Sequence, residues 1–134
     1  MRRRVRVSRG RFRRYVREAL AMLPPRFQAA AENVAIVVER HPSPEDHHLR
    51  RSNRGQAPKG RRRREPLFGI YRGIPLPQRS SAYTMVAPDV IAVFRRPLEA
   101  ACRDRKKLRE EIRLTLLHEV GHYFGLDEWA VNHL

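Results

Sequence analysis

What this chain lacks narrows it first. It has one cysteine, Cys102, in 134 residues. No disulfide can therefore close within the chain, and no structural zinc module needing two or more thiolates fits it. No run of residues approaches the apolar length of a membrane span. The basic N-terminal stretch meets only the short apolar run 19–23 before Pro24-Pro25, too little for the apolar region of a signal peptide, so the cytoplasm is the expected location. There is no nucleophile elbow, phosphate-binding loop or dinucleotide fingerprint, which leaves covalent serine or cysteine catalysis and nucleotide binding without support. The length allows one domain with a single core.

Acids are missing locally. Residues 1–17 carry 9 Arg and no Asp or Glu, and residues 50–64 carry 7 Arg plus Lys59, again with no acid. The rest holds 12 basic and 14 acidic residues, so the net charge of +15 sits on two segments over a nearly neutral body. Arginine outnumbers lysine by 26 to 3, a bias that a GC-rich genome would produce unaided. Residues 1–10 read as a basic flexible arm. Residues 41–66, rich in Pro, Gly and Arg with almost nothing apolar, read as a solvated loop inserted into a single domain over 11–134. The arms 2–17 and 50–64 are suited to weak contact with nucleic acid or an acidic partner; plain solvated tails are the alternative.

Apolar spacing predicts the elements. Phe12, Tyr15, Val16, Ala19, Leu20 and Leu23 recur at helical intervals over Arg11 to Leu23, and Phe27 to Ala31 fits a short helical turn. Val34 to Val38 reads as a central buried strand, Leu67 to Tyr71 as a second strand before an Arg72-Gly73 turn and an extended 74–77, and Val90 to Phe94 as a third. Pro97 to Cys102 fits a short helix. A long helix spans Lys106 to Phe124, with Leu108, Ile112, Leu116, Val120 and Phe124 four apart on its core side. This is an α+β layout in which a small sheet packs on an N-terminal helix and a motif-bearing helix. An extended peptide could add to the sheet edge, at either 67–71 or 90–94.

The chemistry lies near the C-terminal end, in His118-Glu119-Val120-Gly121-His122-Tyr123-Phe124-Gly125-Leu126-Asp127-Glu128. Residues four apart share a helix face, so His118 and His122 can offer two imidazole nitrogens to one ion, with Glu119 beside them as general base. Two histidines leave positions for a third protein ligand and a water, the open arrangement of a catalytic zinc. Gly125 can take the left-handed turn that stops the helix and lets the chain return Asp127 or Glu128 to the metal. With one zinc ion, Glu119 would take the proton of the attacking water and pass it to the leaving amine. Tyr71, Arg72, Tyr83 and Tyr123 are all possible oxyanion donors.

The stretches "FRRYVREALAMLPPRF", "NVAIVVE", "LFGIYRGIPL", "PDVIAVFRRPLE" and "LLHEVGHYFGLDE" resemble the minimal zincin-like metallopeptidases of actinobacteria and other bacteria, over about Arg11 to Glu128. The resemblance implies a zincin-like fold, zinc bound by His118 and His122, catalysis by Glu119 and a peptide or protein substrate. The glycine and the third-ligand position also resemble the metzincin peptidases, where His or Asp stands. That spacing puts the third ligand on Glu128, with Asp127 as the alternative. The metzincin methionine turn is missing, because Met1, Met22 and Met85 all precede the helix.

Two other classes compete. A bacterial family of rRNA-processing endoribonucleases carries a segment resembling H-G-x-x-H-x-x-G-x-D-H, which has glycine where Glu119 stands here and histidine where Glu128 stands. A carboxylate beside the metal fits amide hydrolysis better. The third class is a nucleic-acid-associated module with a structural or vestigial metal site. His41, His47, His48 and His133 read as functionless, although His47-His48 beside Glu45-Asp46 could form a weak second metal site. Cys102 reads as a packed thiol.

Overall fold

A central strand organises the molecule. In this computed structural model, which describes residues 4–53, 66–73 and 89–125, β3 (Val90–Phe94) lies between β1 (Ala35–Glu39) and β2 (Gly69–Arg72). β1 runs parallel to β3, pairing Ala35 with Val90, and β2 runs antiparallel, pairing Gly69 with Val93. The helices are α1 (Arg9–Ala21), α2 (Pro25–Ala31), α3 (Pro44–Asn53), α4 (Arg95–Ala101) and α5 (Arg105–Tyr123). No helix among the described residues is long and apolar enough to cross a membrane.

Alternation along the strands gives the sheet two covered faces. Ile91, Val93 and Tyr71 join the main core with Phe12, Phe27, Leu108, Ile112, Leu116 and Val120, which come from α1, α2 and α5. Ala92, Phe94 and Ile70 point the other way, into a smaller cluster with Leu67, Val37 and Leu49 of α3. The α5 stripe is the predicted one: Leu108, Ile112 and Leu116 are fully buried and Val120 nearly so, with Phe124 half-buried against them. Cys102 is buried as expected, and loss of water around the thiol pushes its pKa up to about 11.

Three expectations need correction. The run Val34 to Val38 is not central: among the described strands β1 lies at an edge and is only half-buried, and the centre belongs to β3, four of whose five residues are buried. Residues 41–66 do not form a continuous loop, because α3 occupies Pro44–Asn53. Its start is a capping box: the Asp46 N–H donates to Ser43 Oγ at 3.1 Å, and the Ser43 N–H donates to Asp46 Oδ2 at 2.9 Å, with Pro44 opening the helix. Residues 4–10 are not a free arm. Val5 and Val7 are buried, their N–H groups donating to Cys102 O and Glu99 Oε2, and Ser8 caps α1. Residues 54–65, 74–88 and 126–134 lie outside the described residues, and with them the extended 74–77, Tyr83, Asp127, Glu128 and His133.

Candidate metal centre

α5 carries the centre on the turn where its apolar stripe meets β2. His118 and His122 stand one turn apart with ring centroids 4.8 Å from each other, and their Nε2 atoms converge to 3.1 Å. Glu119 is 3% exposed, with Oε2 4.0 Å from His118 Nε2. One ligand atom from each of the three residues falls within 4.8 Å of the others, the single such group of His, Cys, Asp and Glu among the described residues. The second site conceivable at His47-His48 does not assemble there. α5 ends as the glycine predicts: Gly125 has φ 81°, and its N–H donates to His122 O at 2.8 Å.

The sheet places Glu119. Phe94 N–H donates to Phe68 O at 2.8 Å, which turns the backbone groups of residues 68, 70 and 72 towards β3 and those of 69 and 71 outward. The outward N–H of Tyr71 donates to Glu119 Oε1 at 2.8 Å, so the carboxylate is tied to the outer edge of β2. Gly69 permits this closeness. A Cβ there would lie 2.7 Å from Thr115 Cγ2 and 3.0 Å from Ala92 O. Of the two edge candidates, β2 is the edge beside α5 among the described strands, and β3 is excluded by its central position.

An unanticipated residue completes the arrangement. Arg50 of α3 donates from Nη1 to Glu119 Oε2 at 3.0 Å, with its side chain only 18% exposed. Leu49 next to it packs on the sheet face away from α5, so Arg50 meets Glu119 round the outer edge of β2. Arg50 opens the segment that composition reads as a solvated basic arm. The signal that would have found it is Ser43-Pro44-Glu45-Asp46, a helix start seven residues upstream.

Of the four possible oxyanion donors, Tyr83 lies outside the described residues and Arg72 is engaged with two acids. Arg72 donates from Nη1 and Nη2 to Glu39 and from Nε and Nη2 to Asp46, at 2.8–3.0 Å, which raises its pKa above the ordinary value through the Glu39 and Asp46 hydrogen bonds. Tyr71 and Tyr123 are buried and pack edge to face with centroids 5.8 Å apart. Burial pushes the Asp46 carboxyl up, but the Arg72 hydrogen bonds and charge and the Ser43 N–H outweigh it and hold the pKa below 3.8.

Two convergent imidazoles and an adjoining acid on one helix, set against a sheet edge, can be compared with known proteins. The profile of the zincin-like metallopeptidase family matches residues 31–134. The chain belongs to that family. A conserved hypothetical protein from Thermo thermophilus has a similar fold, with a TM-score of 0.53 and 18% identity over 88% of this chain and 94% of that one. No curated protein matches the chain. The zincin-like family implies a metal, usually zinc, and the donor set fits one. Two nitrogens bonded at about 2.0–2.1 Å to a tetrahedral zinc stand about 3.3 Å apart, close to the 3.1 Å between the two Nε2 atoms. The α+β layout expected from sequence is the zincin-like architecture observed: among the described residues, five helices and a small mixed sheet.

Proposed function

We propose that this zincin-like protein is a zinc-dependent peptidase that hydrolyses peptide bonds with Glu119 as general base. His118 and His122 would hold the ion, with Glu128, or Asp127 in its place, as third ligand. The observation that carries the reading is the pair of Nε2 atoms 3.1 Å apart with the Glu119 carboxylate 4.0 Å away, beside a strand edge whose outward backbone groups face the same side. A zinc ion at these atoms supplies Lewis-acid polarisation of a carbonyl and makes a water molecule more acidic.

Glu119 handles the proton. Each carboxylate oxygen has about two acceptor positions, and each spends one, on Tyr71 N–H and on Arg50 Nη1. A position therefore remains on Oε2, the oxygen nearer His118, to accept a proton from water and return it to the departing amine. The two hydrogen bonds fix the carboxylate's orientation while this happens. A substrate chain lying along β2 would meet the outward groups of Gly69 and the carbonyl of Tyr71, whose N–H is held by Glu119, a strand-addition mode of binding.

The test is metal content and cleavage of a peptide pool on one preparation of wild type, Glu119→Gln, Glu119→Ala and His122→Ala. About one zinc per chain in wild type, retained by Glu119→Gln without chelator-sensitive cleavage, is the expected result. Glutamine is the cleaner variant, because its carbonyl can still accept from Tyr71 N–H whereas alanine strands both Tyr71 N–H and Arg50. Absence of stoichiometric metal would remove the site. Metal with cleavage of RNA instead of peptides, lost in His122→Ala, would transfer the reading to the ribonuclease class.

A further inference from the structure

We propose that Arg50 is a specificity-determining residue that receives a carboxylate group of the substrate in the cleft beside the metal centre. The proposal rests on the peptidase reading for the word substrate, and on the geometry of Arg50 for the rest. A cleft of about 250 Å³ opens next to the centre, lined by Arg50, Leu67, Phe68, Gly69, Thr115 and His118 among others. Its walls are mostly apolar. Arg50 is the cation among them, His118 belongs to the candidate metal pair, and Glu119 is the acid.

Donor accounting separates Arg50 from a purely structural arginine. A guanidinium has five N–H donors in a fixed fork and is always charged. Arg72 spends Nε, Nη1 and Nη2 on two carboxylates. Arg50 spends Nη1 on Glu119, its single acceptor among the described residues, and its Nε is buried without a partner. Nε is closed off from the cleft, so Nη2, neither spent nor buried, is the nitrogen from which a substrate carboxylate can accept. Charge points the same way. Arg50 and Glu119 cancel, so a divalent ion on neutral histidines leaves the cleft positive even after one further acidic ligand. An anionic group on the substrate is the complement, and apolar walls strengthen its attraction by excluding water.

Two sources supply such a group: the C-terminal carboxylate of a peptide, or an Asp or Glu side chain beside the cleaved bond. Two peptide pairs tell them apart, one identical except for a free acid or an amide at the C-terminus, the other except for an internal Glu or Gln. Equilibrium binding of all four is measured by calorimetry to full-length wild type, Arg50→Gln and Arg50→Lys, with and without zinc, and cleavage is followed on the same peptides. In wild type the acid member of one pair should bind tighter by about tenfold or more. That ratio should fall to near one in Arg50→Gln and survive in part in Arg50→Lys, and the pair that shows it identifies the source. Because each ratio compares two peptides on one protein, a general disturbance of Glu119 cancels. Ratios near one for both pairs in wild type would overturn the proposal without needing any variant to fold. A preference unchanged in Arg50→Gln would also overturn it. Arg50-dependent preference without cleavage would keep the carboxylate site and sink the peptidase reading; cleavage without preference would do the reverse.

Discussion

Two arginines meet acids around β2, and they are used differently. Arg72 lies between Glu39 and Asp46 with its donors matched to two carboxylates, a closed cluster that ties β1, β2 and α3 together. Arg50 reaches one carboxylate, Glu119, at the lip of a cleft. The satisfied cluster is scaffold. Its counterpart holds the Glu119 carboxylate through one donor and has a buried Nε without a partner, so the two clusters differ in hydrogen-bond saturation rather than residue type.

The largest way to sharpen that contrast is Glu119→Gln. Peptide cleavage should fall by about 10²–10⁴-fold, and the thermal midpoint should fall with it, because the Tyr71 contact survives but the glutamine amide turns a donor towards Arg50 Nη1 and leaves that guanidinium without its carboxylate. Arg72→Ala should act on stability alone. It leaves Asp46, 4% exposed, and Glu39 without their guanidinium. Arg72 itself is about a third exposed, so water screens part of the effect, and a loss of about 1–3 kcal/mol in urea unfolding is expected. Activity measured well below the melting temperature should largely persist. Gly69→Ala drives a methyl into Thr115 Cγ2 and should cost about 1–2 kcal/mol, partly restored in the double variant Gly69→Ala/Thr115→Ser, which removes that carbon. Acid titration gives the smallest effect. The folded-state pKa of Asp46 lies below 3.8, so its contribution is complete above about pH 4 and disappears as the pH falls through the lowered value. Unfolding curves between pH 2 and 5 should therefore lose stability more steeply for wild type than for Asp46→Asn.

Much of the fold was legible because periodicity reports burial. The α5 stripe of Leu108, Ile112, Leu116 and Val120 and the run Val90 to Phe94 are strongly patterned, and both elements lie where the pattern places them. His118 and His122 were legible because four-residue spacing on a helix has one geometric meaning. Sheet order was not. Val34 to Val38 and Val90 to Phe94 are similar β-branched runs, and only tertiary pairing decides which becomes central. Arg50 was hidden for a different reason. Its neighbours are charged and its helix has only Leu49 as an apolar anchor, so composition spoke for solvent while the Ser43 cap spoke for helix. Val5 and Val7 were obscured in the same way by the arginines around them.

The parallel pairing of β1 with β3 has a consequence for how the protein comes into being. Ala35 must wait for Val90, and Arg50 and Tyr71 for Glu119. A chain emerging from the ribosome N-terminus first therefore carries strand and helix pieces that cannot close until α5 has left the exit tunnel and docked. The nascent chain is therefore without the assembled arrangement of Arg50, Tyr71 and Glu119, and a truncated product that ends before α5 lacks His118, Glu119 and His122 altogether.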